Sequence, residues 1–171
     1  MTARRYGLIP AAGQGARLGG ATPKQYLELR GEPMLAHAVR ALLASPALEV
    51  AFVVLARDDE RWATHDWRAF GERVAPLWCG GATRRDSVLN GLVAMANVVD
   101  PDDWVLVHDA ARPCLTGADV ERLIGAVGDD EAGGILAVPL ADTLKRADGD
   151  QRIPATEPRA GLWLAPTPQL F

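Results

Sequence analysis

One stretch near the start of the chain constrains the fold and the chemistry more than any other. An apolar run that resembles a buried strand stops abruptly after Pro10, and four glycines follow within eight positions: Gly13, Gly15, Gly19 and Gly20. Residues without a Cβ let several backbone N–H groups point at one anion and let a phosphate group approach the main chain. The stretch therefore predicts a strand that leads into a phosphate-binding loop.

Two cationic side chains accompany these glycines. Arg17 lies inside the loop, and Lys24 follows Pro23, whose fixed φ restricts where the lysine can be presented. Guanidinium and ammonium groups form strong, charge-assisted hydrogen bonds with phosphate oxygens. Arg17 and Lys24 are therefore candidate phosphate ligands, and a merely glycine-rich turn would leave both unexplained.

Spacing separates this loop from two other phosphate-binding loops. A dinucleotide fingerprint requires glycine three residues after Gly15, where Leu18 stands, and a Walker A loop requires lysine where Ala21 stands. The remaining order is a strand, then A-G-x-G-x-R, then P-K. It resembles the loop of nucleotidyltransferases that transfer a nucleoside monophosphate from a nucleoside triphosphate to a phosphorylated small molecule.

Bulk properties favour one globular domain that binds a small polyanion. The 171 residues suit a single domain with a real core, and no apolar run approaches the roughly 20 residues of a membrane span. The first residues contain no continuous apolar segment of the kind found in secretory signals, so we expect a cytoplasmic protein. A net charge of −4 gives no electrostatic basis for binding nucleic acid. Cys79 and Cys114, and the scattered histidines, have no metal-ligand spacing.

Alternating apolar runs predict an α/β fold with a mostly parallel sheet. Buried strands are expected at 49–56, 74–79, 104–108 and 134–139, and helices at 33–44, 57–71 and 116–127. In the charged segment 57–71, Trp62 and Trp67 are expected to anchor the core. The whole chain, 1–171, is expected to be one Rossmann-like domain.

Two further stretches follow predicted strands and are candidate ligand edges. Gly80-Gly81 precedes Thr83 and Arg84 at a helix start, where backbone N–H groups favour an anion; the alternative is an ordinary turn with surface arginines. Asp109 follows the strand that ends at residue 108, where α/β sheets bind ligands, and Arg112 comes three residues later. That pair suits a magnesium ion and an anionic acceptor, or a helix-capping aspartate paired with arginine.

The segment from about 139 to 160 changes character. Thr143-Leu144-Lys145-Arg146, the turn signal Asp148-Gly149-Asp150 and Arg152 to Thr156 predict a hairpin with too few apolar residues for the central sheet. A two-stranded ribbon is only marginally stable alone. We therefore expect an arm that projects from the domain and packs on a partner subunit.

Taken in order, the motifs resemble one enzyme family over essentially all 171 residues. They are A-A-G-Q-G-A-R-L-G, T-P-K-Q-Y, G-G-A-T-R-R-D-S-V, V-H-D-A-A-R-P, D-T-L-K-R and R-A-G-L-W-L-A-P-T-P-Q-L-F. They are similar to those of 2-C-methyl-D-erythritol 4-phosphate cytidylyltransferases of the non-mevalonate isoprenoid pathway. The resemblance implies a homodimeric nucleotidyltransferase with a swapped arm that transfers CMP from CTP to a polyol phosphate with Mg²⁺.

The resemblance also implies roles for individual residues. CTP would be bound by Ala11, Ala12, Gly13, Gly15, Arg17, Lys24, Gly81, Arg84 and Ser87. The acceptor would meet Asp109, Ala110, Arg112 and Thr167 of one subunit and Thr143 and Arg159 of the other, and Asp109 would also meet the metal. Arg17, Lys24 and Arg159 would be the catalytic cations.

The sequence departs from the family pattern at three places. Ala82 stands where members usually have a polar or acidic residue, and Pro166 stands within the A-x-T-P-Q motif. Members continue beyond T-P-Q-x-F with a helix and a lysine-bearing strand, so we expect either an incomplete sequence or an impaired enzyme. Two alternatives stay open: a cytidylyltransferase for another polyol phosphate such as ribitol 5-phosphate, and a nucleotide-binding module without activity.

Overall fold

A computed structural model describes residues 3–13, 22–128 and 130–171 of the chain. The strands are β1 (Arg5–Pro10), β2 (Glu28–Leu29), β3 (Glu32–Pro33), β4 (Ala51–Val54), β5 (Val74–Leu77), β6 (Trp104–Val107), β7 (Gly134–Ile135), β8 (Val138–Pro139), β9 (Leu144–Arg146), β10 (Ala155–Glu157), β11 (Trp163–Leu164) and β12 (Gln169–Leu170). The α-helices are α1 (Met34–Leu43), α2 (Arg84–Met95) and α3 (Gly117–Val127). Short 3₁₀ turns cover Lys24–Tyr26, Trp62–Thr64 and Arg68–Arg73.

The centre of the fold is a six-stranded sheet in the order β5-β4-β1-β6-β12-β7. β5, β4, β1 and β6 run parallel, and β12 is antiparallel to both of its neighbours. The parallel strands are apolar and largely buried because helices cover both faces of the sheet. The α/β fold with a mostly parallel sheet, predicted from the sequence, is confirmed.

Neighbouring residues of β1 point into different layers of the core. Ile9 packs in a cluster with apolar residues of α1 and α3, whereas Leu8 packs in a second cluster with Met95 of α2. α2 lies close to its face of the sheet, since a Cβ on Gly91 would come within 2.6 Å of a methyl group of Val54. Two helices therefore cover one face and one helix covers the other, with the carboxyl ends of the parallel strands left open.

Two secondary-structure predictions are wrong. The run 134–139 is not one buried strand: β7 joins the central sheet, β8 pairs with β11 outside it, and Ile135 and Val138 are exposed. Segment 57–71 forms short 3₁₀ turns rather than an α-helix. Its tryptophans do anchor the core, since Trp62 is buried and stacks on Trp67 at 3.9 Å between ring centroids.

The predicted arm consists of two small antiparallel ribbons, β8–β11 at its base and β9–β10 beyond. The outer ribbon is the hairpin expected from the sequence. Its two strands are linked by an ion pair between Arg146 and Glu157 and by a hydrogen bond from Lys145 to Thr156.

Within the described part of the chain, no helix combines the length and the apolar character needed to cross a membrane.

Candidate active site

The open edge of the sheet carries the loops that follow β1, β5 and β6. It encloses a cavity of about 490 Å³, which is lined by Pro10, Ala12, Gly13, Gly81, Ala82, Thr83, Arg84 and Ser87. Ligands of α/β sheets bind at such an edge, beyond the carboxyl ends of the strands. The structure thus brings together Gly13, at the start of the first glycine loop, and Gly81 of the glycine pair, which are about 70 positions apart in the sequence.

The glycine pair fits a space that leaves no room for side chains. Gly80 donates a backbone hydrogen bond to the Leu55 carbonyl at 2.8 Å, and a Cβ on Gly80 would lie 2.7 Å from that oxygen. A Cβ on Gly81 would lie 2.5 Å from the Cβ of Asp86. Gly80 is not one of the predicted site residues, although the glycine pair in the sequence is a pattern that could have identified it.

Side chains at the start of α2 hold the next turn in place. Thr83 and Asp86 form a reciprocal capping box, with bonds of 3.1 and 3.2 Å. The Ser87 hydroxyl accepts the Gly81 N–H at 3.1 Å and donates to the Thr83 carbonyl at 3.0 Å. Ser87 therefore supports the turn that lines the cavity, and the helix N-terminus beside it favours an anion.

The first glycine loop is described only up to Gly13, and the predicted site residues Gly15 and Arg17 lie outside the described residues. Ala11 is buried, with its N–H bonded to the Val54 carbonyl and its own carbonyl bonded to Gln25. Ala12 is partly exposed, and Gly13 is exposed with nothing within 4 Å of a Cβ placed there. The surface open to a ligand therefore begins at Ala12.

Asp109 occupies the centre of the edge and joins its two sides. Its Oδ1 accepts a hydrogen bond from Arg84 Nε and its Oδ2 accepts one from Arg112 Nε, both at 2.8 Å. Burial alone would raise the pKa of Asp109, but the bonds from Arg112 and Arg84 outweigh that effect and lower it. The carboxylate therefore stays ionised and lies between two arginines. Arg84 lines the first cavity, and Arg112 lines a second cavity.

The second cavity, of about 470 Å³, lies on the other side of Asp109. Its lining consists of His108, Arg112, Pro113, Cys114, Leu115, Asp119, Arg122, Leu136, Ala137, Val138, Pro166 and Thr167. Two of the predicted acceptor residues, Arg112 and Thr167, are therefore on its wall, while Ala110 is buried in the core. Arg112 and Arg122 give the wall cationic groups suited to an anionic acceptor.

A buried histidine, which sequence reasoning left without a role, connects these residues. His108 is fully buried; its Nε2 donates to the Arg112 carbonyl at 3.1 Å, and its Nδ1 lies 2.9 Å from the Thr167 hydroxyl. That hydroxyl also accepts the Asp109 N–H at 3.0 Å. Burial lowers the pKa of His108, against the raising effect of its bond to Arg112, so the neutral ring accepts from Thr167.

Known proteins resemble this chain over nearly its whole length. Residues 6–171 match the family model of 2-C-methyl-D-erythritol 4-phosphate cytidylyltransferase (IspD). The chain belongs to this cytidylyltransferase family. The enzyme of that name from Dechloromonas aromatica (strain RCB) is 56% identical over 168 residues, which are 98% of this chain and 74% of the relative. The one from Azoarcus sp. (strain BH72) is 53% identical over 98% of this chain and 71% of its own length.

Solved structures of the cytidylyltransferase family share the fold. A crystal structure of a 4-diphosphocytidyl-2C-methyl-D-erythritol synthase is 37% identical with a TM-score of 0.86, over 99% of this chain and 75% of that one. The cytidylyltransferase from Francisella tularensis is 34% identical with a TM-score of 0.73, over 98% of this chain and 72% of that one. The Rossmann-like nucleotidyltransferase fold predicted from the motifs is thus confirmed.

The two acceptor residues that the cytidylyltransferase resemblance assigns to the neighbouring subunit lie on the arm. Thr143 directly precedes β9, Arg159 lies between β10 and β11, and both are exposed. Within the described ranges, neither side chain makes a hydrogen bond or ion pair with the edge of the sheet. The structure therefore does not bring them into their own subunit's site, and their role in a partner's site stays a prediction.

Proposed function

We propose that the chain transfers CMP from CTP to 2-C-methyl-D-erythritol 4-phosphate, giving 4-diphosphocytidyl-2-C-methyl-D-erythritol and pyrophosphate in isoprenoid precursor synthesis. Family membership supports the reaction type and the substrates. The observation that carries the proposal for this chain is the Arg84–Asp109–Arg112 arrangement, because it joins a glycine-lined cavity to a cationic one. A transfer between two phosphorylated substrates requires two such neighbouring sites.

We assign the first cavity to the nucleotide and the second to the acceptor. CTP is bound by Ala11, Ala12, Gly13, Gly15, Arg17, Lys24, Gly81, Arg84 and Ser87. Among these, Ala11 and Ser87 act chiefly as supports, since both are buried and their polar groups are already bonded within the chain. The absence of a side-chain polar group at Ala82 leaves recognition at that position to the backbone, which borders the cavity.

The chemistry is a displacement at the α-phosphorus of CTP. An oxygen of the acceptor phosphate forms the new P–O bond, the bond to the β-phosphate breaks, and pyrophosphate leaves with its electron pair. No general base is needed because the nucleophile is already an anion. The protein contributes by placing two anionic groups in line and offsetting their repulsion, which is the task of Arg17, Lys24 and the acceptor-side arginines.

A divalent cation, for which we propose Mg²⁺, fits this site through one carboxylate. Within residues 3–13, 22–128 and 130–171, no group of three or more His, Cys, Asp or Glu side chains is arranged to hold a metal. Magnesium in nucleotide sites is commonly held by one or two carboxylates together with substrate phosphates. Asp109 suits that role because each of its oxygens keeps a lone pair beside its arginine bond. When bound, the cation would supply charge neutralisation at the phosphates.

We further propose that the enzyme is a homodimer in which the arm of one subunit reaches the acceptor cavity of the other. The support is the exposed, cationic and partly apolar character of a ribbon that is too small to be stable alone. Arg159 then clamps the acceptor phosphate, and Thr143 contacts the polyol. Because both substrates are free phosphorylated small molecules, we place the reaction in the cytoplasm.

Pyrophosphate release tests the proposed reaction directly. The purified chain is incubated with CTP and Mg²⁺, with either 2-C-methyl-D-erythritol 4-phosphate or ribitol 5-phosphate as acceptor. We expect release with the first acceptor and a product whose mass is the sum of the acceptor and CMP less water. A higher kcat/KM with ribitol 5-phosphate would change the acceptor. CTP binding by calorimetry without release from either acceptor would replace the enzyme with a nucleotide-binding module.

A further inference from the structure

The turn that carries Lys24 is fixed on one side by two buried side chains. Gln25 is 6% exposed and Tyr26 is 4% exposed, whereas Lys24 is only partly buried. The turn closes with a hydrogen bond from the Tyr26 N–H to the Pro23 carbonyl at 2.9 Å. In the described portion of the chain, the Lys24 ammonium has no hydrogen bond or ion pair, so its charge is available to a ligand.

Gln25 ties this turn to the glycine loop. Its Nε2 donates to the Ala11 carbonyl at 2.6 Å, in a buried contact between residues 14 positions apart. The Ala11 N–H in turn donates to the Val54 carbonyl at 2.8 Å, which fixes Ala11 to the end of β4. The turn is thereby held at a set distance from the start of the predicted phosphate-binding surface.

Tyr26 ties the same turn to the segment after β4. Its hydroxyl lies 3.0 Å from both carboxylate oxygens of Asp59, and its ring stacks on His65 at 5.4 Å with an interplanar angle of 6°. Asp59 is itself held, because its Oδ1 accepts the Trp62 N–H at 3.0 Å. Burial, and then the neighbouring carboxylate, raise the pKa of Tyr26, so its hydroxyl stays protonated and donates.

We propose that Gln25 and the Tyr26–Asp59 pair are positioning residues that hold Lys24 at the triphosphate of CTP. The inference rests on the proposed function, since it requires a phosphate ligand for Lys24. A lysine side chain has a flexible four-carbon stem, and fixing its backbone lowers the entropy lost when it binds a phosphate. Two different segments reach adjacent residues of this turn, through the Ala11 contact to Gln25 and the Asp59 contact to Tyr26. Each polar group must lose its water to form such a buried contact, so packing alone would not require them.

A double-mutant cycle on CTP affinity tests this proposal. The variants are Lys24→Ala, Gln25→Met and the combination of both, with dissociation constants for CTP measured by calorimetry. Met has nearly the length of Gln but cannot donate to the Ala11 carbonyl. We expect Gln25→Met to weaken CTP binding about tenfold in the wild-type background and less than about twofold when Lys24 is already absent. Cytidine, which lacks phosphates, should bind to all variants alike.

The tyrosine contact offers a matched set of variants. The chain has two tyrosines, Tyr6 and Tyr26, and both are buried. Tyr26→Phe removes the bond to Asp59 but keeps the ring, and it should weaken CTP binding, whereas Tyr6→Phe in β1 should not. Asp59→Ala should reproduce the loss, and Asp59→Asn, which keeps an acceptor oxygen for both donors, should restore most of the affinity. Thermal midpoints of all variants separate this effect from loss of stability.

The outcomes distinguish the inference from the function on which it rests. If the Lys24→Ala variant binds CTP as the wild type does, then Lys24 is not a phosphate ligand and its assigned role fails. If Lys24→Ala weakens binding but Gln25→Met and Tyr26→Phe do not, the positioning role fails while the function stands. Equal losses from Gln25→Met with and without Lys24, or an equal loss for cytidine, would show a general structural effect and would also overturn the positioning role.

Discussion

The edge of the sheet holds its polar side chains in buried bonds, whereas the arm leaves large apolar side chains exposed. At the edge, the buried or half-buried polar groups of Ser87, His108 and Asp109 bond to neighbours in the same chain. On the arm, Val138, Ile153, Trp163 and Leu164 are 55%, 62%, 60% and 57% exposed, next to cationic residues. Large apolar side chains grouped on a projecting ribbon are typical of a surface that another chain covers.

This difference indicates which parts of the proposed site one subunit can hold in place by itself and which parts it cannot. The described part of the proposed nucleotide side is preorganised within the chain, because Ala11, Gly80 and Ser87 are bonded to neighbouring segments. In the proposed dimer, the arm contributes to a site only through the second subunit. Changes at the edge should therefore act on a single subunit, whereas changes on the arm should act between subunits.

The largest expected effect is on turnover, and the two lysines of the chain, Lys24 and Lys145, provide a matched pair. Lys24→Ala should lower kcat/KM with CTP about a hundredfold or more, the usual cost of losing a charge that stabilises the transition state. Lys145→Ala should leave turnover near wild type, since Lys145 Nζ is bonded to Thr156 within the arm. Steady-state pyrophosphate release measures both, and near-normal release by the Lys24→Ala variant would refute the catalytic role of this lysine.

A second matched pair concerns glycines. Gly80→Ala should lower the free energy of unfolding by about 2 kcal/mol or more, because the new methyl group would meet the Leu55 carbonyl at 2.7 Å in a well-packed region. Gly149→Ala, in the turn of the arm, should change it by less than about 0.5 kcal/mol, since nothing lies within 4 Å of a Cβ there. Urea unfolding of both variants checks the comparison, which equal losses would contradict.

The features that the sequence could predict are local patterns. They are the glycine loop, the glycine pair and the Asp109–Arg112 spacing, and each of them alone indicates a ligand edge. We expect these three patterns to lie close together because the carboxyl ends of parallel strands meet at one edge of the sheet. The helix start at Thr83 and Arg84 is likewise predicted from the sequence, whereas the reciprocal bond from the Thr83 N–H to Asp86 appears only in the structure.

The missed features depend on partners that are distant in the sequence. His108 has a role only because Thr167, 59 positions away, reaches its ring. Gly80 is required only because β4 brings the Leu55 carbonyl beside it. The run 134–139 is apolar enough for a buried strand, but it divides between the central sheet and the base of the arm. An apolar run predicts that its side chains are buried. It does not specify which part of the protein they are buried against.

A smaller effect, on acceptor use, tests whether the arm acts between subunits. Arg159→Ala should raise the KM for the acceptor about tenfold, the cost of one charge-assisted hydrogen bond, with CTP binding close to wild type. Arg17→Ala should instead impair CTP handling. In mixed dimers of the two variants, one site would receive both defects and the other neither, so activity should partly return on subunit exchange. No recovery despite demonstrated exchange would mean that Arg159 acts in its own subunit.

The smallest expected effect concerns the pH dependence of stability between pH 6.5 and 5, and we attribute it to the buried His108 at the edge. The three histidines of the chain are His37, His65 and His108, so the arm contributes none. Because burial lowers the pKa of His108 in the folded state, the unfolded chain takes up a proton first as the pH falls below about 6.5, the ordinary value for histidine. The stabilisation from neutral His108 is therefore complete above that pH and is lost as the pH falls toward the folded-state pKa.

The slope of unfolding free energy against pH measures this contribution, and one such group adds at most about 1.4 kcal/mol per pH unit. His108→Gln keeps an amide donor for the Arg112 carbonyl but cannot titrate. Its free energy of unfolding should be lower than that of the wild type near pH 7.5 and should vary less between pH 6.5 and 5. Urea unfolding in buffers with a chelator, at several pH values, gives both slopes. Equal slopes in the two proteins would mean that His108 titrates in the folded state as it does in the unfolded chain, so that its buried contacts to Thr167 and Arg112 do not depend on a neutral ring.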